Sequence, residues 1–467
     1  MYVQQLYTKC LSEAAYYIES NGEAAVIDPL RDVEEYINLA KERKTVIKYI
    51  FETHFHADFV SGHLDLSQAT GAPIVFGPET KTNFPVHIAK DGEVFQLGKT
   101  SIQVLHTPGH TIESSCYLLK NENGERHAIF TGDTLFVGDV GRPDLSSGNM
   151  NTEELAGIMF DTIQQKIIPL ADNILVYPAH GAGSSCGKNI GPNTVSTIGE
   201  EKQNNYALQP QSKEAFIKAV TKDLADAPRY FSVNAKINRE GYDNMELIKA
   251  KAMNQLTVAT FKKKMQEDIT VLDTRHANIF THGFVPGSIF IGLEGRFAEW
   301  AGNILSFTRP MILVTEPGKE EESIVRLARV GFSKIEGYLT GGFDTWKKAG
   351  EKIDMIIDVE ADELAMDIPH DPNLLVVDVR RETEFGEGHV KNAINMPLND
   401  MTDVALIADF EENQNLYVHC AGGYRSVIAC SLMKSHGLHN LRNIAGGWEK
   451  IKAEKIIKIS KDPGVLN

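Results

Sequence analysis

Short apolar runs separated by polar, glycine-marked breaks dominate the first half of the chain. Residues 16–28 hold two strand-like runs around the turn Ser20-Asn21-Gly22, and residues 33–43 show helical spacing. Residues 46–51 form a β-branched and aromatic run that predicts a buried strand. Further short strands are expected at 74–76, 94–97, 102–105, 116–119, 128–130 and 174–176. A longer helix is expected over 152–168, with Thr152 as its N-cap. The pattern places residues 1–245 in one mixed α and β unit. Residues 223–256, which carry no chemical motif, read as the connection to the second half of the chain.

From there the chain repeats itself. Thr270-Val271-Leu272-Asp273-Thr274-Arg275 recurs 105 residues later as Leu375-Val376-Val377-Asp378-Val379-Arg380, and Gly341-Gly342-Phe343 recurs at the same offset as Gly446-Gly447-Trp448. His282-Gly283-Phe284-Val285 returns more loosely around Gly388-His389-Val390. Two tandem α/β domains, 257–352 and 358–467, are the economical interpretation. Asp378 and Arg380 are expected to buttress the second as an ion pair.

The length of 467 residues suits about three domains, and 42% hydrophobic with 24% charged residues describes a globular chain. No apolar run is long enough for a membrane span, and the N-terminus lacks a signal-peptide pattern, so a cytoplasmic protein is expected. Five irregularly spaced cysteines argue against a disulfide framework. A net charge of −16 argues against nucleic acid as a partner. Assembly as a homo-oligomer is expected.

Chemistry concentrates on loops that come after the apolar runs. His54-Phe55-His56-Ala57-Asp58 leaves the 46–51 strand, His110 lies in Thr107-Pro108-Gly109-His110-Thr111, Asp133 in Thr131-Gly132-Asp133-Thr134, and His180 in Tyr177-Pro178-Ala179-His180-Gly181. Imidazoles and carboxylates on successive strand-end loops can converge on one cation. His63, His87, His106 and His127 have no such context and are expected to carry no role. Cys186, beside Lys188 in a glycine-rich loop, is a candidate reactive thiol with a lowered pKa, or a small packing residue. Cys10, Cys116 and Cys430 fall in apolar patterns and are expected to be buried. In the second repeat, His419-Cys420-Ala421-Gly422-Gly423-Tyr424-Arg425-Ser426 lies between the strand 416–418 and a helical run over 427–436. Backbone N–H groups at such a helix start stabilise a thiolate, its persulfide or a bound sulfur anion, and Arg425 can neutralise that anion. The first repeat has Thr315-Glu316-Pro317-Gly318-Lys319-Glu320-Glu321-Glu322 there, without cysteine and with four acids, so it should carry no sulfur chemistry.

The four-loop pattern resembles the metallo-β-lactamase superfold, which implies an αββα sandwich, and both repeats resemble rhodanese domains. Relatives that hold two zinc ions have a histidine after His-x-His-x-Asp; Phe59 stands there and should weaken a second metal site. With Gly141-Arg142-x-Asp144 included, the first unit is most similar to the persulfide dioxygenases, and the whole chain resembles bacterial fusions of that enzyme with rhodanese. The resemblance implies one Fe(II) per chain held by His54, His110 and Asp133. His56 would then handle protons, and Asp58 and His180 would orient ligands or hold a possible second metal. It implies oxidation of a small thiol persulfide by O₂ to sulfite, and transfer of sulfane sulfur through Cys420, with Arg425 and the surrounding loop, to give thiosulfate. A zinc thioesterase of the glyoxalase II type joined to a sulfurtransferase is the alternative.

Overall fold

The computed structural model describes residues 1–145, 150–411 and 413–462; positions 463–467, the end of the region read as the second repeat, lie outside them. The chain divides into two compact units, Met1–Ile248 with Val325–Ser333, and Lys249–Ile324 with Lys334–Asn467.

The first unit contains two six-stranded sheets. One runs in chain order through Tyr2–Thr8, Glu13–Ser20, Glu23–Ile27, Val46–Phe51, Ile74–Phe76 and His87–Ile88. The other has the order Ser196–Thr197, Leu175–Pro178, Arg126–Gly132, Ser115–Lys120, Thr100–His106 and Val94–Leu97. Period-two alternation explains how they stack. Tyr16 and Ile18 join Phe51, Val104, Tyr117, Leu119 and Phe130 in the layer between the sheets. Their neighbours Ala15 and Tyr17 face the other way, packing with Tyr36 and Ala40 of helix Glu34–Arg43 and Leu66 of helix His63–Thr70. On the second sheet, Cys116, Leu118 and Ile129 face Met159, Ile163, Phe216 and Val220 of the helical layer. Helices therefore cover both outer faces, and the unit is the αββα sandwich that the resemblance to the metallo-β-lactamase superfold implied.

The helix expected over 152–168 begins differently. Asn151, not Thr152, is its N-cap: Asn151 accepts the Glu154 N–H, and Glu154 returns the bond to the Asn151 N–H. Helix Thr152–Thr162 then continues into the π-helical turn Ile163–Ile167. The supposed connection is also more structured than its lack of motifs suggested, containing helices Phe231–Glu240 and Met245–Ala252.

In the second unit each repeat builds a five-stranded parallel sheet with the same strand order. The first runs Gln255–Leu256, Ile335–Leu339, Met311–Val314, Thr270–Asp273, Ile289–Phe290; the second runs Ile357–Val359, Leu441–Ile444, Asn415–His419, Leu374–Asp378, Ile394–Asn395. Met311–Val314 and Thr270–Asp273 are buried at every position, as continuous apolar runs covered on both faces should be. The 105-residue offset extends into the cores: Val271, Val285, Leu339 and Trp346 pack in one as Val376, Val390, Ile444 and Ile451 do in the other. Among the described residues no helix is long and apolar enough to cross a membrane.

Candidate metal centre and thiol loop

Strands Glu23–Ile27 and Val46–Phe51 run parallel, so the residues leaving them meet. Asp28 accepts both the Thr53 N–H (2.7 Å) and the Thr53 hydroxyl (2.8 Å). That hydroxyl, its proton already given away, accepts from His54 Nδ1 at 3.0 Å. The lone pair of His54 is thereby left on Nε2. His110 is set the same way, its Nδ1 donating to the Arg142 carbonyl at 2.8 Å, and His180 Nδ1 donates to the Ser12 carbonyl at 3.2 Å.

All three Nε2 atoms face one carboxylate. Asp133 Oδ2 lies 3.7 Å from His54 Nε2 and 3.5 Å from His110 Nε2, while Oδ1 lies 3.5 Å from His180 Nε2. Both Asp133 oxygens are buried without a hydrogen-bond partner. These separations are too long for strong hydrogen bonds and suit donors about 2 Å from a shared ion. Burial, together with the neighbouring imidazoles of His56, His110 and His180, holds His54 well below its usual range, in the neutral form that a ligand needs. His54, His110 and Asp133 therefore fit a metal ion. Gly141 shows how tightly the site is enclosed, since a Cβ there would meet the Asp133 carbonyl at 2.1 Å and His110 Nδ1 at 2.9 Å.

His56 is engaged elsewhere. Its Nε2 is 3.1 Å from Asp28 Oδ1 and 3.8 Å from Glu52 Oε2. Burial works against its charge, but Asp28, Glu52 and Asp58 outweigh it and push the imidazole up to about 10. Phe59, fully buried, lies with its ring centroid 4.4 Å from that of His56, so an apolar face packs against this imidazole. Asp58 Oδ2 is 3.5 Å from His180 Nε2, and His56, Asp58 and His180 form their own close cluster.

Cys186 comes into the site, its sulfur close to Asp133 and His180. The expectation of a lowered pKa is corrected: burial pushes the thiol well up, and the Asp58 and Asp133 carboxylates push the same way. Lys188 does not act on the thiol: its ammonium is directed to the Lys222 carbonyl at 2.6 Å. Cys10, expected to be buried, is only half-buried, whereas Cys116 and Cys430 are buried as expected. Two contributors escaped sequence reasoning. His63, read as having no role, is buried with Nδ1 3.3 Å from Glu52 Oε1, beneath His56. Asn238, on helix Phe231–Glu240, donates to the carbonyls of His56 and Phe59 (2.7 and 2.8 Å) and accepts the Ser61 N–H at 2.8 Å. Only the burial of a poor helix former within a helix could have marked it.

In the second unit Cys420 leaves strand Asn415–His419 and precedes helix Tyr424–Ser435. The Gly423 N–H donates to its sulfur at 3.1 Å, and the Ser426 hydroxyl lies at 3.6 Å. Gly447, at φ +56°, allows the neighbouring turn to approach; a Cβ there would sit 2.3 Å from the Cys420 carbonyl. Arg425 is forked onto Glu384 at 2.7 and 2.8 Å, so an incoming anion must share the guanidinium with a carboxylate. Asp378 and Arg380 form the expected buttress, with contacts of 2.6–3.0 Å.

A sandwich with converging strand-end donors is a metal-binding fold, and the paired α/β domains that come after it in the chain hold a thiol in an amide cradle. The metallo-β-lactamase superfamily matches residues 8–180, and the rhodanese-like domain matches residues 257–349 and 360–454. A solved metallo-beta-lactamase from Staphylococcus aureus subsp. aureus COL is similar with TM-score 0.65 and 33% identity, covering 73% of this chain and 98% of that one. Persulfide dioxygenase ETHE1 of Bos taurus is 31% identical over 202 residues, which span 43% of this chain and 72% of the relative. Hydroxyacylglutathione hydrolase GloC of Haemophilus influenzae is 28% identical over 211 residues, 40% of this chain and 89% of the relative. The chain belongs to the metallo-β-lactamase superfamily, has ETHE1 persulfide dioxygenase homologues, and carries two rhodanese-like domains after its metal-binding domain.

Proposed function

We propose that the chain is an Fe(II)-dependent persulfide dioxygenase joined to a sulfurtransferase, acting in sulfide and persulfide detoxification. The observation that carries this reading is the donor set: two imidazoles whose Nδ1 atoms are engaged elsewhere and one buried carboxylate without a hydrogen-bond partner, with Phe59 in place of a further histidine. Bound there, Fe(II) supplies the dioxygen chemistry of the net reaction RSSH + O₂ + H₂O → RSH + SO₃²⁻ + 2H⁺.

The chain's own residues prepare the site. Thr53 and the Arg142 carbonyl fix the rings of His54 and His110, so that both Nε2 lone pairs point at the metal position. Asp28 and Glu52 hold His56 on a network beneath the ligands, and Asn238 pins the backbone on either side of Asp58. Cys186, Asp58 and His180 line the site beside the ligands, where the substrate sulfur would enter.

In the second unit the Cys420 thiolate takes the terminal sulfur of a persulfide and releases RSH. The resulting Cys420 persulfide passes that sulfur to sulfite, which regenerates the thiolate and forms thiosulfate. The Gly423 N–H and the Ser426 hydroxyl stabilise the negative sulfur. Carrying both activities on one chain raises the effective concentration of sulfite at the thiol.

Hydroxyacylglutathione hydrolases among the relatives favour a second reading, a two-zinc thioester hydrolase fused to a sulfurtransferase. Metal analysis and oxygen uptake separate the two. Anaerobically purified protein given glutathione persulfide should contain about one iron per chain and consume O₂ only with persulfide. Two zinc ions per chain with no oxygen uptake would overturn the dioxygenase reading. Asp133→Ala should abolish metal loading and oxygen uptake together.

A further inference from the structure

Helix Tyr424–Ser435, whose N-terminus cradles the Cys420 sulfur, is tied down by the repeat that lacks a thiol. Its first residue, Tyr424, donates its hydroxyl to the Gly292 carbonyl of the first repeat at 2.6 Å. Seven residues on, the buried Ser431 hydroxyl accepts the N–H of Phe290 at 2.9 Å and donates to the Ile428 carbonyl of its own helix at 2.7 Å. Lys434 completes the row with a 2.9 Å ion pair to Asp354, whose backbone is bridged to Phe284 of the first repeat. Positions 424, 431 and 434 lie along one face of a helix, so the first repeat grips it along a single stripe. The Phe290 ring adds an edge contact to Tyr424, 5.8 Å between centroids.

The sulfur needs that grip because its stabilisation is directional. A 3.1 Å bond from the Gly423 N–H, together with the positive end of the helix, reaches Cys420 only while the helix start stays in register with strand Asn415–His419. The strand is fixed by its sheet; the helix face that carries Tyr424 and Ser431 rests on the first repeat.

We propose that the thiol-free repeat is the abutment of the sulfur-transfer site, with Tyr424 and Ser431 as positioning residues that keep the amide cradle aimed at Cys420. A repeat without a loop cysteine can then still serve sulfur transfer, because its work is done through Gly292 and Phe290. The proposal rests on the reading of Cys420 as the sulfur carrier.

The test uses the full chain carrying Tyr424→Phe, Ser431→Ala or both. Three quantities are measured: thiosulfate formation from glutathione persulfide and sulfite, the pH dependence of Cys420 alkylation, tracked by mass spectrometry of its peptide, and the urea unfolding midpoint. Each single change should lower the transfer rate by about tenfold, the double change should lower it further, and the alkylation midpoint should move to higher pH. A purely structural tie would lower the unfolding midpoint while leaving transfer and the alkylation profile unchanged, and that result overturns the proposal. Absence of transfer in the unmutated chain would instead overturn the sulfur-carrier reading beneath it.

Discussion

In the first repeat, Arg275 forks onto Asp273 at 2.6–3.0 Å, reaches the Gly283 carbonyl at 2.9 Å, and lies 4.4 Å from the centre of the Phe343 ring. In the second, Arg380 does the same with Asp378, the Gly388 carbonyl at 2.7 Å and the Trp448 ring at 4.4 Å. The loops these forks support have diverged. Thr315 occupies the position of Cys420, with Gly342 pressed against its carbonyl as Gly447 is against that of Cys420. The Thr315 hydroxyl is buried without a partner, and the next helix opens with Glu320, Glu321 and Glu322. The helix after Cys420 has no acid in its first turn. A fold is kept by its buttress and a chemistry by its loop, and the two have separated within one chain.

The largest expected effect tests the loop. Cys420→Ser should reduce thiosulfate synthesis by at least about a thousandfold while persulfide-dependent oxygen uptake continues. If both activities survive, the division of labour is wrong. Adding Thr315→Cys to that variant should recover nothing, because the acidic first turn opposes an anionic sulfur; measurable recovery would show that only the thiol had been lost.

The buttress comes next. Asp273→Asn and Asp378→Asn each strand a buried guanidinium, and each should destabilise its own repeat by about 3–5 kcal/mol in denaturant unfolding. Asp378→Asn should impair sulfur transfer strongly, and Asp273→Asn more weakly, through the Phe290 and Gly292 contacts its strand supports. A much smaller loss in the first repeat would mean that its fork is decorative.

The smallest effect concerns pH. Burial raises the Glu384 carboxyl, but Arg425 and the Arg381 N–H outweigh it and hold the group below its ordinary value of 4.5. Its contribution is therefore complete above that value and is lost as pH falls through the lower folded-state pKa. Urea midpoints should fall more steeply below about pH 4.5 in the unmutated chain than in Glu384→Gln. Identical profiles would show that the Arg425 pair adds no stability.

Much of the fold, and the residues of the candidate metal centre, can be picked out in the chain itself. The strands of the sandwich derive from short apolar runs, and the alternation of Ala15, Tyr16, Tyr17 and Ile18 between two cores is a period-two pattern. His54, His110 and Asp133 stand out because each lies in a loop after such a run. The start of the 152–168 helix differs from expectation by one residue because Asn151 and Thr152 are both good caps, and only the bond to Glu154 chooses between them.

Local pattern encodes the kinds of elements, the duplication, the donor residues and the presence of one thiol loop rather than two. The assembled fold settles how groups distant in the chain satisfy one another. Asn238 stitching the metal loop, the Arg142 carbonyl setting the His110 ring, Glu384 claiming Arg425, and Gly292 holding Tyr424 all join residues from different elements. Lys188 makes the same point from the other side, since a place two residues from Cys186 does not bring its charge to the thiol. Hydrogen bonds and desolvation act over a few ångströms of space, and chain separation does not measure that distance.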